Sequence, residues 1–152
     1  MRTFRFPVTP VRQMPAPTSE RALTSRSRPV AGGRVLRIDF TVAHNADDEP
    51  IFQIVPVAPG QTYVLKTYER SEGITSDSGP RLRVTDPQCP QCLDAVTDGA
   101  TGTTPWREAS VRFTAGATPV IRISVWRPRS RSFPMDISGR AWFDGIALQP
   151  IQ

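Results

Sequence analysis

Histidine, lysine and cysteine are nearly missing from this 152-residue chain. The single histidine, His44, excludes every mechanism that needs two imidazoles. Lys66 is the one lysine among 19 basic residues, so arginine carries the net charge of +5. That charge raises nucleic acid as a partner. However, the arginines are spread along the chain. The tightest group, Arg127, Arg129 and Arg131, is broken by Pro128 and reads as solvated loop. Nucleic-acid binding is therefore a lesser alternative. No uncharged apolar run approaches the ~18 residues of a spanning helix. No apolar h-region follows Met1–Arg5, so a signal peptide is not expected in this chain.

The two cysteines, Cys89 and Cys92, make half of a zinc ribbon whose other half is missing. In an oxidising compartment they would close a local disulfide; in a reducing one they would stay free. Catalytic signatures are equally scarce. There is no GxSxG elbow and no phosphate-cradling glycine loop. Asp47, Asp48 and Glu49 are adjacent in a turn, and Asp136 has no evident partner, so the spaced carboxylate pair of a glycosidase is not in view. We expect no enzyme.

Val, Ile and Thr are abundant, whereas Leu, Glu and Lys are few. That balance favours strands. Alternation sharpens it. Val35, Arg37 and Asp39 oppose Leu36, Ile38 and Phe40. Tyr63, Leu65 and Thr67 oppose Val64, Lys66, Tyr68 and Arg70. Ala109, Val111 and Phe113 oppose Ser110 and Arg112, and Ile121, Ile123 and Val125 oppose Arg122, Ser124 and Trp126. A period of two marks antiparallel strands with one face on a core. Turn residues separate the runs at 45–48, 59–60, 78–80, 98–99 and 116. The expected strands lie near 4–8, 34–42, 51–57, 61–70, 80–85, 106–114, 119–127 and 140–148. This predicts an all-β antiparallel sandwich of about eight strands, a jelly roll, as one domain over 1–152. Residues 9–33 form a long Pro/Gly-rich connection, and Cys89–Thr104 reads as a second loop.

Three segments carry a resemblance. They are APGQTYVLKTYERS (58–71), WREASVRFTAGATPVIRISV (106–125) and GRAWFDGIALQP (139–150). In this order they resemble the galactose-binding-like jelly rolls, the fold of many bacterial carbohydrate-binding modules. The resemblance covers roughly 58–150. It implies a non-catalytic module, accessory to a larger exported or cell-envelope protein, and so an extracellular or periplasmic setting. It also implies a structural calcium held by the aspartate of the closing strand, here Asp144. The family's adjacent second acid is replaced by Gly145.

Asp144 shares parity with Trp142, Ile146 and Leu148, which predicts an apolar-face carboxylate in need of a cation or of hydrogen-bond donors. A flat ring beside charged donors is what a pyranose needs. Tyr68 with Lys66 and Arg70 meets that description, and so does Trp126 with Arg122. These five are the expected saccharide-binding residues. Trp106, Trp142 and Tyr63 are expected in the core. The competing readings are a protein-interaction sandwich without a sugar site and, behind it, an Arg-rich nucleic-acid surface.

Overall fold

The computed structural model describes residues 35–132 and 136–152. Eight strands run through them: β1 (Leu36–Ala43), β2 (Asp48–Pro56), β3 (Thr62–Ile74), β4 (Arg81–Thr85), β5 (Asp94–Val96), β6 (Gly102–Thr114), β7 (Val120–Arg127) and β8 (Ile137–Pro150). They form two antiparallel four-stranded sheets, ordered β1-β8-β3-β6 and β2-β7-β4-β5, here sheets A and B. The fold is the expected β-sandwich of jelly-roll type.

The anticipated strand near 4–8 and the connection at 9–33 lie outside the described residues. The eighth strand is instead β5, inside the stretch read as loop. Three residues are too few to show a period. What holds β5 is its pairing with β4, reinforced by a two-pronged bond from Arg83 to Asp94 at 2.8 and 2.9 Å.

The core forms where the two inner faces meet. β3 contributes Tyr63 and Leu65, β6 Phe113, and β8 Phe143 and Leu148. Sheet B answers with Val55, Leu82, Val84, Ile121, Ile123 and Val125. Burying a side chain such as Leu65 or Phe143 stabilises by about 1.5–3 kcal/mol. Tyr63 stacks on Phe113 at 5.9 Å between centroids, and its hydroxyl accepts the Ala58 N–H at 2.9 Å.

One irregularity in β8 decides which side chains face out. Tyr68 pairs with Asp144 but Lys66 pairs with Ala147, so Gly145 and Ile146 together oppose Thr67. This is a β-bulge, with Gly145 at a φ of 59° that an L side chain rarely adopts. The extra residue reverses the phase of the strand. Phe143 and Leu148 both point inward, although one is odd and the other even. The single face drawn through Trp142, Asp144, Ile146 and Leu148 is therefore corrected. Trp142 and Asp144 sit on the outer face of sheet A, opposite Arg70 and Tyr68.

After β4 the chain turns sharply, and Cys89 and Cys92 are joined as a disulfide. Asp86 Oδ1 accepts the N–H groups of Gln88 and Cys89 at 2.8 and 3.1 Å and fixes this turn.

Candidate functional site

The outer face of sheet A gathers three rings. Tyr68 is on β3, with Asp144 of β8 on one side and Glu108 of β6 on the other. Two residues further along β3 comes Arg70, opposite Trp142. Trp106 precedes Arg107, the partner of Glu69, so it borders Arg70 from β6. The two tryptophans therefore flank Arg70 on strands about 10 Å apart, two inter-strand spacings. All three rings are half-buried. The core placement expected for Trp142 and Trp106 is thus overturned. The bulge moved Trp142. For Trp106, continuing the alternation of Ser110 and Arg112 back along β6 leads to the same outer face.

The charges on this face are mostly paired. Arg70 lies over the Trp142 ring at 4.9 Å, with Arg37 at 5.9 Å. Arg70 also reaches Glu72 at 3.7 Å, and Lys66 reaches Glu108 at 3.6 Å. Such solvent-facing pairs are weak, about 0–1 kcal/mol each, so a ligand hydroxyl can compete for them.

Trp126 and Arg122 lie on the outer face of sheet B, the opposite side of the sandwich from Tyr68. They do not act together. Four residues separate them along β7, about 13 Å. Arg83 is the cation over the Trp126 ring, at 4.3 Å, while Arg122 covers Phe52 at 4.4 Å. Glu49 bridges the two guanidiniums, 3.0 Å from Arg83 and in close contact with Arg122. Phe52 and Ile54 remain 57% and 44% exposed. Arg127, expected in solvated loop, is instead buried and donates to Asn45 Oδ1 at 3.2 Å and to Ala46 O at 2.9 Å.

Asp144 is 3% exposed despite its outward position, and its Oδ1 accepts the Gly145 N–H at 2.7 Å. Calcium takes six to eight oxygens, usually from several carboxylates. Among the described residues no three His, Cys, Asp or Glu side chains converge as a metal site needs.

Sequence reasoning overlooked Glu69, although its parity with Leu65 points it inward. Its side chain is wholly buried, and Arg107 approaches Oε1 at 2.5 Å. Neither carboxyl oxygen accepts a hydrogen bond of good geometry. Burial pushes this carboxyl above its ordinary range, opposed mainly by Arg107.

No protein-family model matches this chain, and no curated protein does. Solved structures do. One described as "CBM4 structure and function" superposes with a TM-score of 0.54 at 14% identity, covering 77% of this chain and 71% of that one. Another, "Family 16 Carbohydrate Binding Module-2", gives a TM-score of 0.47 at 15% identity, with 74% of each chain covered. The first of these, at its low identity, bears on the sandwich fold alone.

Proposed function

We propose that this chain is a non-catalytic carbohydrate-binding module whose glycan lies across the outer face of sheet A. The observation that carries the reading is the clustering of Tyr68, Trp106 and Trp142 around Arg70 on adjacent strands. Sugar rings present apolar C–H faces and a rim of hydroxyls. Half-buried aromatic rings offer the matching flat surfaces at low entropic cost. Lys66 and Arg70 donate to hydroxyls, and Glu108 accepts from them. Rings carried on strands about 10 Å apart suit an extended oligosaccharide better than a single sugar. The likeness to a solved carbohydrate-binding module supports the reading at the level of fold. As such a module, the chain would serve an exported or cell-envelope protein, and its disulfide agrees with an oxidising compartment.

A glycan array is the first test, followed by titration of the retained glycan. Tyr68→Ala and Trp142→Ala should each weaken binding about tenfold, the equivalent of about 1.4 kcal/mol per ring. Unchanged affinity in both variants would remove the site.

A second reading rests on the other sheet. Phe52 and Ile54 are exposed on the outer face of β2, an edge strand of sheet B. Exposed apolar side chains at a sheet edge favour a protein partner. Phe52→Ser would then abolish that association and leave glycan binding intact.

A further inference from the structure

We propose that a recess at the end of sheet B is a second, independent ligand site, specific for acidic saccharides bearing carboxylate or sulfate groups. The recess is a solvent-open depression of about 500 Å³ lined by Asp47, Trp126, Pro128, Arg129 and Arg131. That volume falls within the range of small-ligand sites.

Its walls are built rather than loose. The Asn45 side chain ties the turn after β1 to the segment after β7: Oδ1 accepts from Ser130 N at 2.7 Å, and Nδ2 donates to Ser130 O at 2.9 Å. Asp47 Oδ1 accepts from Arg129 N at 2.9 Å. Ser78 donates to Pro128 O and Ser130 donates to Asp77, both at 2.5 Å. These bonds fix the backbone that carries both arginines. Preorganisation of this kind lowers the entropy lost on binding.

The chemistry of the lining selects the ligand. Arg70, Arg83, Arg107, Arg122 and Arg140 all have carboxylate partners. Arg129 and Arg131 have none among the described residues, and both are exposed. Two unpaired guanidiniums offer forked donors that match a carboxylate or sulfate. Trp126, with Arg83 over its ring, supplies the apolar surface for a pyranose. A single ring gives no ladder for successive bases, which disfavours a nucleic acid.

The test is titration calorimetry of the whole chain with an oligogalacturonide and its carboxyl-reduced, neutral counterpart. The acidic form should bind at least about tenfold tighter at low salt, and the difference should shrink as salt rises. Arg129→Ser with Arg131→Ser should remove that preference while leaving sheet A glycan affinity unchanged. Trp126→Ala should weaken both forms in the recess. No binding of the oligogalacturonide, binding unmoved by the double substitution, or equally tight binding of a single-stranded oligodeoxynucleotide would each overturn the proposal. Loss of neutral-glycan binding at sheet A would refute that reading alone, because these substitutions lie on the opposite sheet.

Discussion

Arg107→Ala and Glu69→Gln should have unequal effects, because the two partners of this ion pair are unequally buried. The Glu69 side chain has 0% exposure, whereas Arg107 keeps 41%. Removing the arginine strands a charge inside the sandwich. Stranding a buried charge costs about 3–5 kcal/mol. Arg81 still acts on the carboxylate, so a loss near about 3 kcal/mol is expected at about pH 8. Protonation limits that loss to about 1.4 kcal/mol for each pH unit above the carboxyl's pKa. Removing the glutamate charge only returns a half-exposed guanidinium to water, and Glu69→Gln should stay within about 1 kcal/mol of the parent. The pH dependence has a definite sign. Because the folded-state pKa of Glu69 is raised, the native state holds the extra proton between the unfolded and folded values. Stability therefore falls as pH rises through that window. Urea unfolding across pH 4–8 measures both effects. Equal destabilisation by the two substitutions, or an unaltered slope in Glu69→Gln, would refute the reasoning.

Other expectations follow from the same structure. Phe143→Ala should cost about 3–5 kcal/mol by emptying a fully buried site, read from the urea midpoint. Reduction of Cys89–Cys92 opens a loop of only a few residues, so dithiothreitol should lower stability by about 2 kcal/mol at most. Asp86 is held below the ordinary carboxylate range by hydrogen bonds from Thr118 and from the Gln88 and Cys89 N–H groups. Its contribution is present above the unfolded value and is lost as pH falls through the lower folded one, so Asp86→Asn should flatten the acid limb of the melt. A chelator tests the calcium that the resemblance implies at Asp144: a melting temperature lowered by several degrees would support the ion, and an unchanged melt would remove it.

Alternation made most of the fold legible. Tyr63, Leu65 and Thr67 face inward and Lys66, Tyr68 and Arg70 outward, as their parity requires. Strand pairing was not legible, because period-two segments do not say which neighbour they join. Period two alone therefore leaves open whether Tyr68 and Trp126 share a sheet. The bulge at Gly145 left only a weak mark, a glycine inside a strand. Missing it displaced Trp142 and Asp144 to the wrong face. Trp106 and Glu69 are different. The pattern points the first outward and the second inward, against the habits of their residue types. Tryptophan is usually buried and glutamate usually exposed; at this site both habits fail.

The most direct measurement follows the three indole N–H signals by NMR while the neutral glycan retained on the array is added. Trp106 and Trp142 should shift together and saturate, and Trp126 should stay in place. Movement of Trp126 alone, or of none of the three, would contradict glycan binding on sheet A.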